Sequence, residues 1–579
     1  MKSLKLFNAV LAKQSNCSPI ITENGFIITP EATWAKEQIV DYLLQESLNG
    51  NDLNKTFHKS WNKILTSSRF ELLVEQIRHY ISTYGSDFQD EVYIPNEILD
   101  LEGVTLKYKV IKAYTKEQFI QKSLDVLKSG VALKQETVDL LLDFLISDLE
   151  YTFNGDEKVK NKEAFVKLVD YYGIVPKNSV EVLRYVVYRC TDSTLLIKSP
   201  DVLNKIKTSS FNPDALFKKV GLEEMSKIFN RFKPIFLEFK NRCPRTINKI
   251  SKLSKKYHTP LKENSLNQAT SIYITDGDLQ NASVFFLFRV LQAIKSRLNK
   301  QDTYLYKIRN GKTWLDEQPK EVNSEVLISN FNKIVNHLKS KFNFSDRVFY
   351  IEQSVQLGLP TSEKQFIGNI PFGTKFKNDK LVVGIYWRDE WGARDLDLSA
   401  INLVGKVGWN SSYNQDGNLL YSGDITSAKE GAVEYLYNSN NSNRSIVKMN
   451  VYDGLEEAVK YKVIIGKGDD VKRNIMLEPS NVLAEFEVKT VSRENILGVL
   501  DNNTFTVFSL SSGNNRVSTS SRSMSQVEAL HQQYNNQVTL NDIILELGGK
   551  IVNDINNKSI TDNLSIDNLE KDTLIKLFQ

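Results

Sequence analysis

The sequence predicts an α+β multidomain protein, irregularly helical to about residue 340, strand-rich beyond it, and closed by a small mixed C-terminal extension. Three observations predict this. At 579 residues the chain is too long for one hydrophobic core. Up to about residue 340 apolar residues recur at the helical period, in pieces that show no fixed-period repeat. Beyond that point they alternate at period two, as half-buried strands do. The expected divisions are 1–115, mostly helical with a small strand segment; 116–340, helical and ending in helix, hairpin and helix; 345–500, the strand-rich domain; and 501–579, a Ser-rich loop and extension.

Thr29-Pro30-Glu31 opens the first helix, with Thr as N-cap and Pro at the first helical position, running to about Ser47. Two amphipathic segments, Asn51 to Leu65 and Arg69 to Tyr84, follow, the second stopped by Gly85. Val92 to Ile94 and Val104 to Ile111 read as short strands. Helical pieces then cover Glu117 to Lys128, Gln135 to Glu150, Asn161 to Tyr172, Ser179 to Cys190, Ser199 to Ile206, Leu222 to Phe232 and Pro244 to Tyr257. After a helix over Asn281 to Asn299, Asn310-Gly311 sits between two strand-like runs and predicts a two-residue type I′ hairpin. A helix over Ser324 to Ser340 precedes the strands Arg347 to Ile351, Leu381 to Trp387, Asp395 to Val404, Ser445 to Tyr452 and Val482 to Val491. Ser509 to Ser525 reads as a flexible loop.

A net charge of +4 excludes a polycation, so nucleic-acid affinity requires a local patch. Cys17, Cys190 and Cys243 lie far apart and form no Cys-x-x-Cys pair, which argues against a zinc site or disulfide framework and fits a reducing compartment. The N-terminus reads as no signal peptide, and the apolar window Ser283 to Phe288 meets Arg289 long before it spans a bilayer. A cytoplasmic protein without membrane insertion, or one packaged into a virion, is expected.

The strongest chemical pattern is Asp395-Leu-Asp-Leu-Ser399. On a strand its leucines share one face and its oxygen-bearing residues the other, with the two carboxylates roughly 7 Å apart. Oxygen-only ligands at that spacing suit a hard cation such as Ca2+, which accepts six to eight oxygens in irregular geometry. An ordinary half-exposed strand gives the same alternation.

Val383-Gly-Ile-Tyr-Trp387, Asp395-Leu-Asp-Leu-Ser399, Ser422-Gly-Asp424 and Gly431-Ala-Val-Glu434 together resemble the TerD family of tellurium-resistance and stress proteins. The resemblance covers roughly residues 380 to 500. It implies an antiparallel β-sandwich that binds calcium through acidic loops, here through Asp395, Asp397, Asp424 and Glu434. Where that family commonly carries an acidic run ahead of its last acid, this chain has Gly431, Ala432 and Val433, so one calcium site is expected and a second is in doubt. The helical half, through Leu53 to Trp61, Glu75 to Gly85, Val182 to Tyr188, Thr194 to Lys198 and Ile308 to Trp314, resembles large uncharacterised bacterial and phage proteins with a TerD-like C-terminal part.

Other motifs carry less. Gly311-Lys-Thr313 lacks the phosphate-loop glycine, since Tyr306 stands there. Asp395-x-Asp-x-Ser399 resembles the start of a von Willebrand A metal site, but the alternating helices of that fold are missing from 400–510. Five scattered histidines and no nucleophile elbow leave no catalytic constellation. Residues 201–260 hold fourteen Lys and Arg against five Asp and Glu, and Arg245, Lys249, Lys252 and Lys256 share one helical stripe opposite Ile247, Ile250, Leu253 and Tyr257. Such a stripe is either a solvated face or a track for phosphates. The resulting expectation is a non-enzymatic calcium-binding interaction or scaffold protein with protein partners, homo-oligomers among them. The alternatives are a nucleic-acid-binding protein and a phage virion or cargo component.

Overall fold

The computed structural model describes residues 1–22, 26–46, 48–55, 109–153, 159–176, 178–257, 270–299, 304–307, 313–316, 322–409, 411–454, 458–468, 477–512, 521–570 and 572–578. The expected segment Arg69 to Tyr84, most of Asn51 to Leu65, the Val92 to Ile94 strand and the Asn310-Gly311 turn lie outside them. The chain divides into two compact units, one of residues 116–269 and one joining residues 3–115 to 270–578. Residues 270–340, expected with the helical domain, therefore belong with the sheets.

The helical unit contains helices Lys116–Lys128, Gln135–Asp143, Lys162–Tyr172, Ser179–Thr191, Pro200–Thr208, Asp214–Val220, Leu222–Phe229, Lys233–Glu238 and Pro244–Ser254. Local chemistry sets several ends. The Asn161 side chain accepts hydrogen bonds from the Glu163 and Ala164 amides, a standard N-cap. Phe217, Phe229, Phe236 and Phe239 form the centre of its core. Arg242 gathers the carbonyls of Ile206, Ser209, Phe211 and Glu238 and so pins a loop that lacks regular pairing.

The other unit holds more strand in residues 1–115 than the small segment expected there. Ala9–Leu11, Lys109–Tyr114, Phe26–Ile28 and Ile20–Ile21 form a four-stranded sheet in that order, with two parallel pairs. Thr29 makes no capping hydrogen bond, and the segment after it is a 3-10 turn, Pro30–Ala35, before the helix Lys36–Glu46. Tyr304–Lys307 pairs with Thr313–Asp316, setting Lys307 opposite Thr313.

Two antiparallel sheets dominate. Numbering their strands in chain order gives β1 Val355–Gln356, β2 Lys375–Lys377, β3 Lys380–Trp387, β4 Ala393–Ile401, β5 Lys406–Gly408, β6 Asn414–Gln415, β7 Leu419–Tyr421, β8 Ala432–Ser439, β9 Asn441–Gly454, β10 Val459–Lys467, β11 Val482–Thr490, β12 Glu494–Asn502 and β13 Thr504–Ser512. The seven-stranded sheet runs β5-β4-β9-β12-β13-β2-β1 and the six-stranded sheet β6-β7-β8-β3-β10-β11. On β3 and β8 nearly every residue is buried, because both faces of the six-stranded sheet are covered.

One of those faces is covered by residues 48–55. Leu48 and Leu53 pack on Val382, Tyr386, Val433, Tyr435 and Leu477. The Tyr435 hydroxyl donates to the Leu53 carbonyl at 2.7 Å, the Val433 amide to the Lys55 carbonyl at 3.0 Å, and the Tyr386 hydroxyl to Asp52 Oδ1 at 3.1 Å. Asn54 and Leu477 exchange two hydrogen bonds of 3.2 Å. Buried tyrosines need such partners for their hydroxyls, and this segment supplies them.

The C-terminal residues are woven in as well. Thr504–Ser512 is a central strand of the seven-stranded sheet and Ser521–Asn535 is a helix, which corrects the expected Ser-rich loop at both ends. Val348–Tyr350 lies between Lys550–Val552 and Asp562–Asn563 in a small parallel sheet.

Candidate metal centre

Strand β4 carries the alternation that its sequence predicts. Leu396 and Leu398 are fully buried on one face, and Asp395, Asp397 and Ser399 stand on the other. A bulge at Asp395, opposite Asp453, re-aims the start of the strand. Its neighbour β5 is short and pairs only with Ser399–Ile401, so the Leu398 amide is free to reach another partner. That partner is Glu434 on β8 of the other sheet.

Glu434 is completely buried, and both of its oxygens are engaged. Oε2 accepts from the Leu398 amide at 2.7 Å and Oε1 from the Ile425 amide at 3.0 Å. One contact fixes the strand that carries Asp397; the other fixes the turn that carries Asp424. Ser422 holds the same turn from the other side, its Oγ accepting from the Tyr435 amide at 2.9 Å. Gly423 adopts φ +125, which lets the chain reverse between Ser422 and Asp424.

The result is a group of three carboxylates. One oxygen from each of Asp395, Asp397 and Asp424 lies within 4.8 Å of the others. Asp395 Oδ1, Asp397 Oδ2 and Asp424 Oδ1 are buried and have no hydrogen-bond partner among the described residues, and neither has the Oγ of fully buried Ser399. Burial pushes the Asp397 carboxyl up to about 7, with the Asp395 and Asp424 charges adding to it; Lys406 and Lys448 pull the other way. Burial, then Asp424 and Asp453, pushes Asp395 up to about 6. Asp424 is raised by burial. Buried carboxylate oxygens without a hydrogen-bond donor, only partly offset by Lys406 and Lys448, are costly, and a hard cation among them lowers that cost. The donor set, all oxygen with two ligands from one strand and one from a turn, fits Ca2+ in chemistry and irregularity.

Glu434, expected as a fourth ligand, is placed otherwise: its oxygens are spent on backbone amides and it lies outside the carboxylate group. Gly431, Ala432 and Val433 also explain themselves. Gly431 has φ +94 and a Cβ there would meet the Tyr386 hydroxyl at 2.5 Å, while Ala432 and Val433 are fully buried. Those positions are core, with no room for acids. Ser399 stands on the ligand face as its alternation predicts, whereas Asp453 was not legible as a neighbour of the site, because strand register across distant segments brings it to Asp395.

The basic stripe is also placed. Arg245, Lys249, Lys252 and Lys256 are exposed, Ile247 and Ile250 are buried, and Leu253 and Tyr257 are half-buried. Lys256 stands 3.9 Å from Glu223, while Arg245, Lys249 and Lys252 form no ion pair among the described residues. No helix among the described residues is long and apolar enough to cross a membrane.

Comparison with protein-family models, with curated proteins and with solved structures gave no match to this chain.

Proposed function

We propose that this chain is a non-enzymatic calcium-binding interaction or scaffold protein with a TerD-like β-sandwich, serving a stress-response, tellurium-resistance or phage-linked system. One observation carries the reading: Asp395, Asp397 and Asp424 converge in a group whose buried oxygens lack hydrogen-bond partners among the described residues. The two antiparallel sheets, tied to each other at Glu434, support the sandwich. Asp395, Asp397 and Asp424 would hold the ion, with water and carbonyl oxygens completing its shell. Bound calcium supplies charge neutralisation. The chain's own residues do the rest: Glu434 and Ser422 hold the turn and strand in register, so that neutralised loops present a fixed surface to a protein partner.

The test is a calorimetric calcium titration of the full chain beside Asp397→Asn and Asp424→Asn, with thermal melting in parallel. Calcium at a hundredfold excess over its Kd stabilises a single-site native state by about 2.7 kcal/mol. Binding that both substitutions abolish supports the reading; a chain that takes up no calcium, or variants that bind it as well, refutes it.

A second reading, polyanion binding by the helical unit, is favoured by the exposure of Arg245, Lys249, Lys252 and Lys256.

A further inference from the structure

A cavity of about 390 Å³ opens on the outer side of the seven-stranded sheet, at the end away from β4 and β5. Its floor follows from strand register. Lys375 stands opposite Gln356 on one side and Thr506 on the other, and one step along β2 Lys377 stands opposite Thr504, with its amide donating to the Ser354 carbonyl at 2.8 Å. Residues opposite one another in a ladder share a face, so these side chains form two polar rows across three strands, while Phe376 between the lysines points into the core. The walls are the β12–β13 turn, where Asn502 takes φ +52, and Asn535 at the end of the helix Ser521–Asn535.

The lining has a definite chemistry. Of its twelve residues only Val355 is apolar, and five are amides and three hydroxyls. Amides donate and accept together, which matches the hydroxyls of a sugar. Asp501 is matched by Arg444 at 3.2 Å, with the fully enclosed His531 behind it at 3.5 Å. Lys375 and Lys377 have no ion-pair partner among the described residues; the Lys375 ammonium touches only the Asn535 carbonyl, at 3.5 Å. Lys375 is half-buried, and Asp542 and Asp501 act on it without an ion pair to either, so its charge is only partly compensated and favours an added anion. Among the described residues no aromatic ring lines the cavity, and so none offers the stacking platform that a nucleobase uses.

We propose that this cavity is a binding site for a phosphorylated sugar, with Lys375 and Lys377 on the phosphate and the amide and hydroxyl rows on the ring hydroxyls. The site is separate from the acidic group on β4 and stands or falls independently of calcium binding. The experiment is calorimetric titration of the full chain with ribose 5-phosphate, glucose 6-phosphate, ribose and inorganic phosphate. At least one sugar phosphate is expected to bind ten times more tightly than ribose or inorganic phosphate. Lys375→Gln is expected to weaken it at least tenfold with an unchanged melting temperature. Should Lys375→Gln fold poorly, the exposed Lys377→Gln gives the same reading with a smaller loss. Absence of binding by either sugar phosphate, equal binding of inorganic phosphate, or affinities unmoved by both substitutions overturns the proposal.

Discussion

Glu434 shapes the carboxylate group without belonging to it. Its two oxygens span from β8 to Leu398 and Ile425, and the spacing of Asp397 and Asp424 depends on that span. Glu434→Ala leaves the buried Leu398 amide and the half-buried Ile425 amide without an acceptor, the first worth about 1–3 kcal/mol. The expected outcome is a large fall in denaturation midpoint together with weakened calcium binding. Asp397→Asn behaves in the opposite way. It removes a buried charge that Lys406 and Lys448 offset less than burial, Asp395 and Asp424 oppose it, so the metal-free protein should gain stability at neutral pH while calcium binding is lost. A protein that is destabilised equally by both substitutions would contradict these separate roles. In the sequence Asp395 and Asp397 were legible from alternation, a local signal, and Asp424 through the resemblance carried by its Ser-Gly-Asp stretch. The task of Glu434 was not, since its partners lie 36 and 9 residues away.

Among elements, long periodic helices such as Ser179–Thr191 and Ser324–Lys341 were legible because one apolar stripe specifies them. β8, β10, β12 and β13 escaped the reading, being buried on both faces or bent by bulges, so that alternation fades. The Pro244–Ser254 helix is the element whose surface chemistry stands out. Each phosphate neutralised by its stripe contributes roughly 0.9 to the slope of log affinity against log salt on duplex DNA. If the helical unit binds duplex, the double charge reversal Lys249→Glu with Lys252→Glu should flatten that slope by about 2 and weaken binding. A slope and affinity that stay put in a filter-binding or anisotropy assay leave the stripe as a solvated face.

For the whole molecule, the acidic group couples stability to pH with a definite sign. Asp395 and Asp397 hold protons in the folded state up to about 6 and 7, against an ordinary 3.8. Between those values the native state binds more protons than the unfolded chain, so metal-free stability falls as pH rises and levels off above about 7. Saturating calcium keeps the carboxylates ionised and should abolish or reverse that fall. Urea midpoints at pH 4.5, 6.0 and 7.5, with and without calcium and referenced to Asp397→Asn, check this; a metal-free difference that is flat with pH sinks it. The covering of the six-stranded sheet by residues 48–55 acts on a different clock. Asn54 and Leu477, which exchange two hydrogen bonds, are 423 positions apart. At a synthesis rate of roughly 5–20 residues per second, Leu53 and Asn54 leave the ribosome roughly 20–85 s before the surface they seal. During translation the segment waits with its apolar side chains uncovered, and the nascent chain is exposed to aggregation and to chaperones for that whole interval.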